Sequence, residues 1–287
     1  MEFLHSNYPP CIIRETRSFF EAFYDLLAKT ERLDIAVGYV TSDSLAELKQ
    51  IAELNKNIQK LTLTIGMHYI EHFSPRAYKA ACVLNKYLLK ENRGEVRLVT
   101  PFRYHGKLYS FSSMSETFAC IIGSDNLNSI LDTNTRTYES SVLIDDQYAA
   151  AELNSFIQCL VNKSTNNIAD LEINKFNGQD NVLDGHEGAV KLELYDIAEC
   201  LNARTDVSFD IPITTFEKAP KSNINAYFGK SRERNGVGLP RHWYEVELIV
   251  HKNITSHPDY PGNQANDAEF DVITAFFFFQ PNASKFA

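Results

Sequence analysis

Two short motifs in this chain carry residue types that could do chemistry together. His105-Gly106-Lys107 sets an imidazole and an ammonium two residues apart, and Gly123-Ser124-Asp125-Asn126 begins sixteen residues after the lysine. On extended backbone, residues two apart project from one face, so His105 and Lys107 are expected to share a pocket, with Gly106 removing bulk between them. Ser124 and Asn126 stand in the same relation after a glycine that permits a tight turn. A phosphodiester carries its charge on two non-bridging oxygens, and that charge grows in the transition state. Lys107 and the Asn126 amide suit those oxygens, with the Ser124 hydroxyl beside them. A neutral imidazole is a competent nucleophile at phosphorus near neutral pH. Its second ring nitrogen needs an acceptor to fix the tautomer, and Glu139 is the nearest suitable carboxylate. This set needs no metal ion, and no cofactor is expected. Either motif by itself is ordinary, a solvated pair or a turn. The functional reading rests on their combination.

The elements that must position these groups follow from periodicity. Phe19, Phe20, Phe23, Leu26 and Leu27 form a helical stripe within 17–27. Residues 33–40 are strand-like, and Thr41-Ser42 caps a helix over 45–54. Residues 61–65 and 96–99 are further strands, separated by a helix that Ser74-Pro75 starts. This β-α-β-α-β order predicts parallel pairing in an α/β layer. Three closely spaced strands then follow over 106–111, 118–122 and 138–144, with Glu139 early in the third. Asp145 or Asp146 caps a helix over 148–160. Residues 163–185 are polar and rich in Asn, Asp and Gly, so the domain boundary falls there, with 166–185 as linker. The second domain, 186–287, reads as mainly β over 207–213, 244–250 and 270–273. The run Phe276 to Phe279 breaks that alternation, and we read the domain as shortened or altered at this end.

Composition narrows the class. The chain has 287 residues, 44% hydrophobic and 23% charged, which is ordinary for a globular protein. No apolar run reaches the roughly 20 residues of a membrane span, and the first fourteen residues lack a secretory design. Five scattered cysteines form neither a CxxC pair nor a zinc spacing, as expected of reduced thiols in a cytoplasmic protein. The net charge is −9, yet residues 218–241 hold six Lys or Arg against one Glu. An acidic body with one basic segment suggests a confined contact with a polyanion. Lys221, Lys230, Arg232, Arg234, Asn235 and Arg241 are its candidate DNA contacts, because Arg and Asn suit guanine and adenine edges. A solvated loop explains the charge equally well.

The set HGK, GSDN and a later glutamate resembles the phospholipase D superfamily over residues 30–160. The resemblance implies an α/β/α catalytic domain, and it departs at Ser112, where the family has an aspartate; Glu139 is put forward as the substitute carboxylate. Family members use two HxK motifs around one site. No other histidine here is followed by lysine at that spacing, so two chains are expected to pool their motifs as a homodimer. With the basic segment AYFGKSRERNGVGLPRHWYEVELIV, the chain is similar to NgoFVII-like type II restriction endonucleases. That family joins a phospholipase-D-like domain to a mainly β, pseudobarrel DNA-recognition domain. The resemblance implies metal-independent, sequence-specific breaks in double-stranded DNA through a phosphohistidine. It also implies a cognate methyltransferase and, in some relatives, a separate ATPase or helicase-like subunit, with no membrane partner. Two other readings compete: a lipid or non-specific phosphodiesterase of the same superfamily, and a catalytically silent DNA-binding subunit.

Overall fold

The computed structural model describes residues 1–13, 15–131, 137–178, 194–202, 232–240, 253 and 256–258. The chain divides into two compact units, Met1–Asp180 with Pro220–Glu247, and Asn181–Ala219 with Leu248–Ala287.

The first unit is built on an eight-stranded sheet. Its strands are β1 (Glu2–His5), β2 (Arg32–Val37), β3 (Lys60–Ile65), β4 (Gly94–Val99), β5 (Lys107–Ser112), β6 (Thr117–Gly123), β7 (Ser140–Ile144) and β8 (Thr165–Asn167), in the order β1-β7-β6-β5-β2-β3-β4-β8. Strands β2, β3 and β4 pair in parallel, as the alternation of helix and strand predicts. Strand β5 turns back antiparallel on β2, and β6, β7 and β1 continue that sense to the edge.

Helices cover both faces. On one lie α1 (Phe19–Leu27), α2 (Ser42–Leu54) and α4 (Pro75–Lys90), with the single turn α3 (His68–Glu71) before α4. Phe19, Phe23 and Tyr24 of α1 are buried, and the Phe19 and Phe23 rings stand 4.8 and 6.0 Å from Tyr109 on β5. The other face is covered by α5 (Gln147–Ser164), whose Ala150, Ile157 and Leu160 pack on Ala36, Leu108 and Cys120. The architecture is thus α/β/α. The caps at Thr41, Ser74 and Asp146 are those the sequence predicts, and Ser18 caps α1 as well; each accepts from a first-turn N–H. Among the described residues no helix is long and apolar enough to cross a membrane.

Three differences stand out. Strand β1 has no sequence signal, being four residues long, yet it pairs fully with β7. The third strand of the hairpin series starts at Ser140, so Glu139 precedes it rather than lying within it. Residues expected to open the linker are part of the first unit: β8 pairs with β4, Ile168 is buried in the main core, and Phe176 bridges to Phe73. Burial of Ile168 explains this, because a polar stretch with one well-placed apolar side chain can still be captured by a core. In the second unit α6 (Leu194–Asn202), which the sequence reading did not anticipate, is a described helix. The strands expected at 207–213, 244–250 and 270–273 and the Phe276–Phe279 run lie outside the described residues.

Candidate active site

The two motifs meet at one end of the sheet. Lys107 opens β5 opposite Val37, the last residue of β2, and Gly123 closes β6 opposite Ser141 of β7. His105 lies just before β5, exposed, while Lys107 is only 7% exposed. The Lys107 ammonium donates to the His105 carbonyl at 2.7 Å and lies 3.3 and 3.1 Å from the two ring nitrogens. Imidazole and ammonium therefore lie side by side. Gly106 makes room for something else: a Cβ there would come within 2.4 Å of the Tyr104 hydroxyl. Burial pulls the Lys107 ammonium below the usual lysine range, and the negative charge of Glu139 partly opposes this. Glu139 therefore faces Lys107 electrostatically, but no hydrogen bond joins it to His105. Its backbone is held by Ser6, with 2.8 and 3.1 Å bonds to and from the N-terminal segment.

Asn126 starts a short 3₁₀ turn, Leu127–Ile130, and its Oδ1 accepts from the Tyr39 backbone N–H at 3.1 Å. An N–H can only be met by the amide oxygen, so the Nδ2 donors must face the other way. Beneath the turn, Tyr109 donates to the Asp125 carbonyl at 2.9 Å, and the Asp125 carboxylate accepts from Ser141. Burial raises the Asp125 carboxyl above its usual range despite that bond. Ser124 behaves differently from expectation: its hydroxyl accepts from Ser140 N–H at 3.0 Å and donates to Ser140 C=O at 3.3 Å. It ties the turn to β7.

Ser112, where the superfamily has an aspartate, is buried and shares a 3.0 Å hydrogen bond with Thr117. It sits at the far end of β5 from Lys107, roughly 16 Å away at strand rise. Its position is structural, so no catalytic carboxylate is missing from the pocket on its account.

The wall beside His105 escaped sequence reasoning. Tyr39, His68 and Glu71 stand there, and the only signal was a Gly-Tyr pair at the end of a strand and an HxxEH run after the next. His68 accepts the Val40 N–H at 3.2 Å on Nε2, and its Nδ1 lies 3.2 Å from the His72 carbonyl. Those partners fix the Nδ1–H tautomer. Burial holds His68 below its ordinary 6.5. The unfolded chain therefore binds this proton first, and stability is lost as pH falls through 6.5 toward the lower folded value. We expect the melting temperature of His68→Gln to fall less between pH 6.5 and 5.5 than that of the unsubstituted protein. Parallel falls would remove His68 from the acid response.

The basic segment is described only in part. Lys221, Lys230 and Arg241 lie outside the described residues, as does the side chain of Arg232. Strands β9 (Arg232–Arg234) and β10 (Val237–Leu239) form a hairpin across Asn235-Gly236, both at positive φ (51° and 81°), as a tight Asn-Gly turn requires. This hairpin packs within the first unit. Val237 is buried in the main core, and Asn55 exchanges two hydrogen bonds of 2.9 and 2.7 Å with the Gly238 backbone. Arg234 pairs with Asp25 at 3.8 Å and Glu21 at 3.9 Å, and Asn235 donates to Asp25 at 3.1 Å. The structure thus brings Arg234 and Asn235 to helix α1. Asn55→Ala would strand both Gly238 groups, at a cost of about 1–3 kcal/mol. It should lower the denaturation midpoint and speed proteolysis near residue 236, and an unchanged midpoint would show the contact to be idle.

Comparison with known proteins agrees with this architecture. A family model described as the NgoFVII restriction endonuclease N-terminal PLD domain matches residues 18–173. One described as the NgoFVII C-terminal B3-like DNA-binding domain matches residues 199–275. Among solved structures, NucT from Helicobacter pylori aligns at 19% identity with a TM-score of 0.38, over 57% of this chain and 98% of that one. Nuc from Salmonella typhimurium, a phospholipase D family member, aligns at 15% identity and TM-score 0.38, over 58% of this chain and 95% of that one. A phosphatidylserine synthase from Haemophilus influenzae aligns at 16% identity and TM-score 0.43, over 60% and 41%. A search of curated proteins finds no match.

The two family models define a phosphodiesterase of the phospholipase D type with a DNA-binding domain. The first family model covers more than half of the sequence, and the chain belongs to the NgoFVII restriction endonuclease family. It is a DNA endonuclease that selects its substrate by sequence.

Proposed function

We propose that the chain is a type II restriction endonuclease that breaks double-stranded DNA through a phosphohistidine, without a metal ion, in an active site shared by two subunits. The contact between the buried Lys107 ammonium and His105 carries the reading. It sets a fixed cation beside an exposed nucleophile, where a phosphate would need both. A His105 ring nitrogen forms a bond to phosphorus as the P–O bond to the leaving nucleoside breaks. His105 of the partner subunit gives its proton to that oxygen. The same imidazole then takes a proton from water, whose oxygen attacks phosphorus and releases His105 with a 5′- or 3′-phosphate end. Lys107 and the Nδ2 donors of Asn126 hold the non-bridging oxygens as their charge grows. Glu139 balances the Lys107 charge, and Ser124 holds the Gly123–Asn126 turn in place.

Two chains are supported by arithmetic: one HxK motif per chain, where the mechanism uses two histidines. The catalytic domain is read as 1–165, the linker as 166–185 and the DNA-recognition domain as 186–287. Lys221, Lys230, Arg232 and Arg241 are the proposed DNA contacts of the latter. Arg234 and Asn235 would reach DNA only by leaving Asp25 and Glu21. A cognate methyltransferase and a separate ATPase subunit belong to the same reading.

The test is incubation of the purified protein with long duplex DNA in EDTA. Discrete bands support the reading. A smear favours a non-specific phosphodiesterase, and retardation without cutting favours a silent DNA-binding subunit. Cleavage that strictly requires magnesium rejects the metal-free scheme, and an active monomer by sedimentation rejects the shared site.

A further inference from the structure

His105 is exposed and, among the described residues, its ring makes polar contact with Lys107 alone. An exposed imidazole on a coil segment needs something to aim it. The neighbouring wall supplies that. Strand β2 ends opposite Lys107, which carries Gly38 and Tyr39 alongside His105. A Cβ on Gly38 would stand 3.2 Å from His105 Cδ2, so the absence of a side chain lets the imidazole seat against the backbone. The Tyr39 ring then closes on His105 with centroids 5.6 Å apart at 77°, an edge-to-face contact.

Tyr39 is itself fixed from several directions. Its ring also meets the His68 ring at 5.6 Å and 85°, and His68 stacks on Phe73 at 4.5 Å. Its hydroxyl donates to Glu71 Oε2 at 2.7 Å, while Arg103 Nε donates to Glu71 Oε1 at 3.1 Å. Its backbone N–H is the group that orients the Asn126 amide. One residue therefore touches both halves of the reacting constellation, the nucleophile through its ring and the oxyanion donor through its backbone.

We propose that Tyr39 is a positioning residue of the catalytic centre, aiming His105 by its ring and Asn126 by its N–H. This rests on the reading of His105 as nucleophile and deepens it. Tyr39 touches no reacting atom, so its removal should loosen the attack geometry and spare substrate affinity. Misplacing a nucleophile by about 1 Å can cost on the order of a hundredfold in rate.

The experiment uses the full-length protein, in excess over bis(4-nitrophenyl) phosphate, which releases nitrophenolate as His105 attacks; kcat here is the maximal single-turnover rate of that release and KM the half-saturating enzyme concentration. For Tyr39→Ala we expect kcat to fall about ten- to a hundredfold with KM changed less than about twofold. Tyr39→Phe keeps ring and backbone and should stay within about threefold of the unsubstituted enzyme, and Glu71→Gln should match it. Should Tyr39→Ala melt early, Tyr39→Leu, which keeps bulk without a flat ring, is expected to show the same fall in kcat. Unchanged kcat in folded Tyr39→Ala or Tyr39→Leu, or a loss confined to KM, overturns the proposal alone. Equal damage from Tyr39→Phe overturns the role of the ring. An unsubstituted enzyme no faster than His105→Ala overturns the nucleophile assignment and this proposal together.

Discussion

His105→Ala is expected to abolish DNA cleavage, lowering the rate by about ten-thousandfold or more, while DNA binding and the melting temperature stay near those of the unsubstituted protein. The side chain is exposed, and its ring contacts are with Lys107 and Tyr39, so its loss leaves no core cavity. The backbone carbonyl that accepts from Lys107 remains in the variant. What is lost is the atom that would bond to phosphorus. His68 has both ring nitrogens engaged by backbone, and His5 pairs with Ser140 at 3.0 Å. Mixtures of the unsubstituted enzyme and DNA quenched in alkaline denaturant should carry DNA joined through its phosphate to His105 by an alkali-stable, acid-labile bond, absent from the variant. Cleavage by His105→Ala within tenfold of the unsubstituted rate would remove His105 as nucleophile.

Lys107→Met should separate activity from stability. Removing one charged donor from a phosphoryl-binding site costs about a hundred- to a thousandfold, or about 2.7–4 kcal/mol of transition-state binding. The same ammonium is buried, and burial disfavours its charged form. Methionine fills similar volume with no charge to desolvate, so the folded state should hold its stability or gain. A rate loss with an unchanged or raised melting temperature marks a residue kept for chemistry at the expense of the fold. A large drop in melting temperature with modest rate loss would mean that Lys107 serves the fold.

Much of this was legible in the sequence. The parallel pairing of β2, β3 and β4 followed from alternating periodicities, and the caps at Thr41, Ser74 and Asp146 from local hydrogen-bonding chemistry. His105 with Lys107 was readable because a two-residue spacing at a strand end has few geometric outcomes. Ser124 was legible only in part: a small hydroxyl after glycine suits a phosphate and suits a turn equally. In the structure it bonds Ser140. Ser112 looked like a lost carboxylate, and strand length puts it at the wrong end of the sheet to have been one.

Residue types, their spacing and their hydrophobic period belong to the chain as a string, and they determined the layered α/β plan and which groups are proposed to react. Which partners those groups find depends on residues far away in sequence. Tyr39 meets Asn126 across 87 positions, and Asn55 meets Gly238 across 183. Such contacts are decided by which side chains win the burial and hydrogen bonds that close the core, and no local pattern encodes that competition. Chemistry was written locally in this protein, and the aim of that chemistry was set by the packed sheet.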